Sequence, residues 1–540
     1  MEANGDCAEP VVYRRMYCYH VGTGPNACLD SGSQSYDFSD EVDLGDHAGH
    51  GTSVASIIAG DPHADPQPDP DDYYKGAGIA PSSQVVVAKI APYDPEPEPP
   101  IPAMTPADWA SLVERVNDVG ESAPQYEGTV RIANNSWNLK YEDGLHFDDY
   151  TLFSRQADIL VRDADPDATG LQQMTLVFSV GNCERFFDPC PAASPGNAKN
   201  VISVGASRGY SEWIDVPPGG DSYWSIADDE CGEWEHFISD IPGFGEDDHL
   251  PWSRRAFYSE PDRFKPDLVA PGSQVAAARS SYFELDPGGI HRCFSGTSAA
   301  APAATAAAVL AEAWYWHTFG YPLPSPAMIK AMLIAHADDL AGAHDHCRCH
   351  LPDDDTLPHS PSIAQGWGRV NLDALIPDNS PPPSPAVAVF DQDHGSAGRR
   401  FTQTGQYWST QLQVLDPDED IIAVIVFTDA ASETNAVSLM KNDLDLKVVK
   451  KGIAGTGHTF WGNHFATGSW YSEDTGGSIP PSSPTDAHNT VEVIRVPAGV
   501  LNGSFSLRVT AASIVESAVP GLDGGANNQD FALYVHNATQ

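Results

Sequence analysis

The chain has 540 residues, too many for one core and suited to two or three domains. With 41% hydrophobic residues it is a globular chain, and 75 acidic against 29 basic residues give it a formal net charge of -46. Such a surface repels phosphate backbones and anionic lipid, and no apolar run is long enough to span a bilayer, so nucleic acid and membrane are excluded as expected partners.

The start, MEANGDCAEP, has neither a basic n-region nor an apolar h-region, so no signal peptide is read in it. Up to about residue 375, short apolar runs alternate with helical stretches. Strands are expected at 85–90 (VVVAKI), 130–133, 175–180 (TLVFSV) and 201–204 (VISV), and helices at 52–59, 106–119 and 154–163. Runs apolar on both faces belong to buried parallel strands, so residues 1–375 read as an α/β domain whose active groups gather at the carboxyl ends of the strands. Residues 376–386 follow as a proline-rich spacer, PDNSPPPSP at 377–385 being too rich in proline for helix. Residues 387–540 change pattern. Strands at 421–428, 444–449, 491–496, 505–510 and 531–535, parted by Gly, Asn and Pro turns, predict an all-β sandwich.

Three motifs stand in the order Asp, His, Ser. ACLDSG at 27–32 ends a short strand on Asp30, GHGTSVAS at 49–56 opens a helix on His50, and SGTSAAAP at 295–302 puts Ser298 in the first turn of an Ala-rich helix. These residue types suit nucleophilic catalysis. A serine hydroxyl needs a base, a neutral imidazole is one near pH 7, and a buried carboxylate fixes the imidazole tautomer. The oxyanion needs donors, and the Ser298 N–H at a helix start and Asn182 in FSVGN at 178–182 are the candidates. Asp43 and Asp46 are alternatives to Asp30.

On these motifs the chain resembles the subtilisin (subtilase, S8) family. Matching segments also include NNSW at 134–137, SPGNAKNVISVGA at 194–206, KPDLVAPG at 265–272 and GWGRVN at 366–371. The tail segments NDLDLKVV at 442–449, NTVEVIRVPAG at 489–499, GSFSLRVTA at 503–511 and QDFALYV at 529–535 resemble the C-terminal jelly roll of oxidatively stable alkaline subtilases, often called the KP-43 type. The resemblance implies a serine endopeptidase with Asp30, His50 and Ser298 as its triad and Asn182 as oxyanion donor. It further implies a substrate cleft lined by Asn135, Ser136, Trp137, Asn138 and Gly181, and a cis-proline loop at Pro195. Protein or peptide substrates, a secreted monomer and structural calcium at Asn442, Asp443 and Asp445 complete the expectation. The sequence departs from the family pattern at Ala299 (usually Met), Ala303 (commonly His) and Asn138 (usually Gly). The competing class is a binding protein on an inactive subtilase fold, which would be expected to have lost a triad member or the oxyanion Asn; neither is lost.

Nine cysteines leave at least one without an internal partner. Cys183 and Cys190 are close enough to staple one loop, and Cys28 reads as a buried thiol. HDHCRCH at 344–350 crowds its ligands too tightly for one zinc ion and reads as a surface loop.

Overall fold

Four short apolar segments build the central sheet of the N-terminal part. The computed structural model describes residues 18–20, 49–60, 77–90, 104–122, 130–139, 149–183, 190–209, 248–278, 291–345, 356–376, 386–392 and 399–540, apart from 169, 251, 256–261, 274, 321, 435, 437, 453–456, 477–485 and 522–525. Asp30, Asp43, Asp46, the spacer at 377–385 and most of the cluster at 344–350 lie outside the described residues.

The first strand, β1 (Cys18–His20), pairs in parallel with β2 (Val87–Lys89). Strands β3 (Ile132–Asn135), β4 (Thr175–Ser179), β5 (Ile202–Ser207) and β6 (Leu268–Pro271) form a parallel sheet in that order. On β4, Leu176 and Phe178 face one way and Val177 the other, and all are fully buried, which is why the run shows no polar alternation. One face is covered by α2 (Pro106–Ser122) and α3 (Leu152–Arg162), which follow α1 (His50–Ala59) in the chain. Helix α3 starts two residues before the expected position, because Thr151 and Ser154 form a capping box. The other face is covered by α4 (Thr297–Phe319) and α5 (Pro326–Ala335). The alanines of α4 let it lie close on the sheet. A hairpin of β7 (Val275–Ala278) and β8 (His291–Phe294) leads into α4, and the short α6 (Leu372–Leu375) closes this part.

The C-terminal part holds β9 (Val387–Phe390), β10 (Arg400–Phe401), β11 (Tyr407–Val414), β12 (Ile421–Val426), β13 (Asp443–Lys450), β14 (His458–Trp461), β15 (Val491–Val496), β16 (Ser504–Ser513), β17 (Gln529–Asp530), β18 (Ala532–His536) and β19 (Ala538–Thr539). One antiparallel sheet runs β14-β13-β16-β11-β19 and the other β15-β12-β18-β9. Their inner faces share one core, with Leu446, Val448, Leu507 and Val509 meeting Ala423, Ile425, Ile494 and Leu533, so this part is an all-β sandwich as expected.

The two parts share a hydrophobic core. The outer face of β12, β15 and β18, through Val424, Val426, Val491, Val493, Ala532 and Tyr534, packs in one cluster with Met328, Met332 and Leu333 of α5. All ten residues of α5 are buried, for the helix lies between two sheets. Polar links cross the same boundary. Arg162 makes a two-pronged pair with Asp530 at 2.7 and 2.9 Å, and the Arg495 guanidinium donates to the carbonyl of Ile334 in the last turn of α5.

Candidate active site

The loop after β3, the loop after β4 and the start of α4 converge at the carboxyl edge of the parallel sheet. Ser298 is the second residue of α4, in the first turn, where helix N–H groups have no intrahelical acceptor. Helix α4 holds Pro302 one turn on. Proline has no N–H to give to the carbonyl of Ser298, and that carbonyl instead accepts from Ser136 Oγ at 3.0 Å. In return Ser298 Oγ lies 3.4 Å from the carbonyl of Ser136. The two segments are thus tied by reciprocal bonds, and Asn134 braces both, donating to Ser136 Oγ and accepting from Thr305.

Asn182 stands just past the end of β4 and is exposed. Its Oδ1 accepts from the N–H and the hydroxyl of Thr297 at 2.9 and 2.8 Å. The backbone N–H can only donate, so the amide orientation is fixed and the NH2 edge is turned to the Gly296 side of the α4 start. A Cβ at Gly296 would come within 3.0 Å of that Nδ2, and Gly296 has φ +111°. Glycine is therefore required there on two counts.

His50 opens α1 behind Gly49. Val54 and Ile57 of α1 pack with Phe294 and Ala299, which flank Ser298 in sequence, and the His50 ring meets Phe294 edge-on at 5.2 Å. Ser53 and Ser56 pin α1 to Ala278 of β7. The fold thus brings together the starts of the His50 and Ser298 helices and Asn182. Asp30 lies outside the described residues.

The expected cleft residues divide by what their side chains do. Asn138 donates to the carbonyl of Ser179 at 2.9 Å, which ties the loop after β3 to β4. The Trp137 ring packs edge-on against Trp109, Phe153 and Phe178, and its Nε1 donates to Asn135 Oδ1. The Ser194–Pro195 peptide is cis, as the resemblance implied.

Sequence reading missed Arg254. Its Nε donates to the carbonyl of Asn182, its Nη1 to that of Pro191 and its backbone N–H to that of Gly181. Its Cδ lies where a Cβ on Gly181 would be, only 2.7 Å away. Cys183 and Cys190 form a disulfide, as expected, and close the same corner. An arginine in the WSRR run at 252–255 carries no signal of this clamp, because its partners lie some sixty to seventy positions earlier.

In the sandwich, Asp443 and Asp445 sit on the same face of β13. Burial, with Asp445, Asp486 and Asp429 nearby, pushes the Asp443 carboxyl up to about 7. Burial, then Asp445, Asp486 and Asp443 nearby, raise Glu492 well above the usual carboxylate range. The Asn442 side chain is already engaged, donating to Glu516 and Gln529 and accepting from the N–H groups of Val515 and Glu516. Among the described residues no group of three or more His, Cys, Asp or Glu side chains is arranged to hold a metal ion. None of their helices is long and apolar enough to cross a membrane.

The sequence profile of the subtilase family, Peptidase S8, matches residues 20–368, and the chain belongs to that family. It is similar to "Serine protease/ABC transporter B family protein" tagB of Dictyostelium discoideum, 21% identical over 574 residues that cover 89% of this chain and 27% of that protein. It is also similar to tagA of the same organism, 27% identical over 282 residues, covering 47% of this chain and 14% of that protein. The chain therefore spans about a quarter or less of the length of these curated relatives. Among solved structures, the self-cleaved protease domain of PatA is 20% identical, with 60% of this chain and 81% of that one covered and a TM-score of 0.33. The prenylagaramide maturation protease PagA is 19% identical, with 61% and 82% covered and the same TM-score of 0.33.

Proposed function

We propose that the protein is a serine endopeptidase whose triad is Asp30, His50 and Ser298. The observation that carries this is the double hydrogen bond from Thr297 to Asn182. It fixes the Asn182 amide with its NH2 edge available as a donor beside the nucleophile, the requirement for an oxyanion hole. Ser298 Oγ attacks the scissile carbonyl as His50 takes its proton, and Asp30 holds the imidazole tautomer and stabilises the imidazolium. The oxyanion accepts from Asn182 Nδ2 and the Ser298 N–H. His50 then protonates the leaving amine, and water releases the acyl group from Ser298 by the same steps. Backbone groups of 135–138 and Gly181 pair with an extended peptide substrate. A fluorophosphonate is the test. It should label the protein at Ser298, and labelling should vanish in Ser298→Ala. Equal labelling of that variant would sink the assignment.

The sandwich is read as a jelly roll. Counting β9, β11, β12, β13, β14, β15, β16 and β18 as strands 1 to 8, the sheets run 1-8-3-6 and 2-7-4-5, the interleaved order of two Greek keys. Calcium is proposed beside Asp443 and Asp445, whose crowded carboxylates a hard cation would relieve, with backbone oxygens and water completing the shell. Asn442 then braces the loop rather than binding the ion. The Cys183–Cys190 bond fits an oxidising, extracellular setting.

A further inference from the structure

Lys199 is a charged side chain with no exposure at all, and every acceptor it reaches belongs to the sandwich. Its Nζ donates to Asp429 Oδ2 at 2.5 Å, to the carbonyl of Ala430 at 2.5 Å and to that of Leu439 at 2.7 Å, with Ser432 Oγ at 3.4 Å. These acceptors lie on the arm between β12 and β13. An ammonium has three N–H groups, and the three short bonds use them all. The next residue repeats the link. Asn200 donates to the carbonyl of Asp429 at 2.8 Å and accepts from its N–H at 2.9 Å. A third contact runs through Tyr150, whose hydroxyl donates to Asp158 and accepts from the N–H of Ser432.

Lys199 lies just after the cis-proline segment beside the candidate cleft. There Ser194 accepts from the N–H of Leu139 at 3.0 Å, Ala193 donates to the carbonyl of Val180 at 3.0 Å, and a Cβ on Gly196 would meet the carbonyl of Ser179 at 2.7 Å. The segment is thus held at one end by the substrate-side loops and at the other by the sandwich. A fully dry ion pair adds little net stability over apolar residues of the same size, but an ammonium with three fixed acceptors has only one seat. Its effect is on position.

We propose that the arm at 429–442 positions the wall at 194–197 through Lys199, so that the sandwich sets the affinity for extended peptide substrates without touching them. The proposal deepens the peptidase reading above and rests on it for the substrate. Ser298 and Asn182 are held separately, by Ser136, Thr297 and Arg254, so the chemical step should be spared.

The test uses the full chain carrying Lys199→Met together with Asp429→Asn, which removes both charges at nearly constant shape and avoids leaving one buried unpaired. Three readouts are taken: fluorophosphonate labelling rate, KM and kcat on a peptide long enough to fill several subsites, and hydrogen exchange of the amides at 196–199. The expected result is a KM raised by about tenfold or more, kcat and labelling within about twofold of wild type, and exchange at 196–199 faster by at least about tenfold. Unchanged KM with unchanged exchange would overturn the proposal. So would labelling and peptide affinity falling together, since that is global damage. If the wild type is not labelled, the peptidase reading fails, and exchange alone then decides the positioning claim, with no local rise overturning it.

Discussion

Acid should weaken the seam between the two parts of the molecule through His336. This residue caps the C-terminus of α5, is almost wholly enclosed, and pairs its Nε2 with the Tyr534 hydroxyl of β18 at 2.9 Å. Burial above all, then His536 and Arg495 beside it, pulls its pKa from 6.5 to about 3. His536, whose own pKa is lowered mainly by burial, meets it edge-on at 5.0 Å. The sign follows from proton binding. Between pH 6.5 and about 3 the unfolded chain holds a proton on this histidine that the folded chain refuses, so stability falls as pH falls through that window. At about 1.4 kcal/mol per pH unit, going from pH 6.5 to pH 5 should cost about 2 kcal/mol from this group alone. Other groups also titrate there, so the measurement must be a difference. His336→Gln keeps a hydrogen-bonding side chain near Tyr534 and removes the titration. Urea unfolding of both proteins at pH 7 and pH 5 should show the wild type losing about 2 kcal/mol more than the variant over that interval. Parallel losses would refute the reasoning, because the histidine would then not be titrating against the interface.

Asn182→Ala should lower kcat by roughly 10²–10³ with little change in KM, since the donor acts on the oxyanion and not on bound substrate; steady-state kinetics on a peptide reads this directly. Asp443 behaves oppositely to His336. Its raised pKa gives stability that is full below its unfolded value of 3.8 and is lost as pH rises through about 7. Asp443→Asn should therefore stabilise the calcium-free protein at pH 8 by about 2–4 kcal/mol and abolish stabilisation by added calcium, both followed by denaturation with and without chelator. Arg162→Met leaves Asp530 buried without its bidentate partner and should cost about 3–5 kcal/mol in the same assay, whereas pairing it with Asp530→Leu should recover much of that loss. Ala299, on α4, is fully buried against Val54 and Ile57 of α1 and Phe294 of β8, so Ala299→Met should cost about 1–3 kcal/mol by overpacking and bring an oxidisable sulfur beside Ser298. Peroxide should then inactivate the variant and spare the wild type.

The buried strands were legible in the sequence because TLVFSV and VISV are apolar on both faces, which few local structures other than parallel strands require. Their ends shifted by a residue or two, as with Ile132–Asn135, because pairing with β4 continues into the polar Asn134 and Asn135. The motifs that carry His50, Asn182 and Ser298 were legible in the sequence, each with a glycine that the turn holds at positive φ, at Gly49, Gly181 and Gly296. The role of Pro302 was half legible. Its tolerance near a helix start could be read, but not that its missing N–H hands the Ser298 carbonyl to Ser136. The seam was illegible. Lys199 and Asp429, or Arg162 and Asp530, are each single charges hundreds of positions apart, and a lone charge in a sequence reads as a solvated one. Only the fold reveals that these four are dry.

Helix α5 has no solvent-facing side, and half of what covers it is synthesised much later. When residues 326–335 leave the ribosome, the strands at 421–426, 491–496 and 532–536 do not yet exist, and an apolar rod with a lysine in its middle waits uncovered. At translation rates of about 5–20 residues per second that interval is on the order of ten to forty seconds. Until those strands arrive the nascent chain holds this apolar surface uncovered, as an aggregation-prone stretch. A chain cut after α6 would leave the apolar side of α5 that faces the sandwich uncovered.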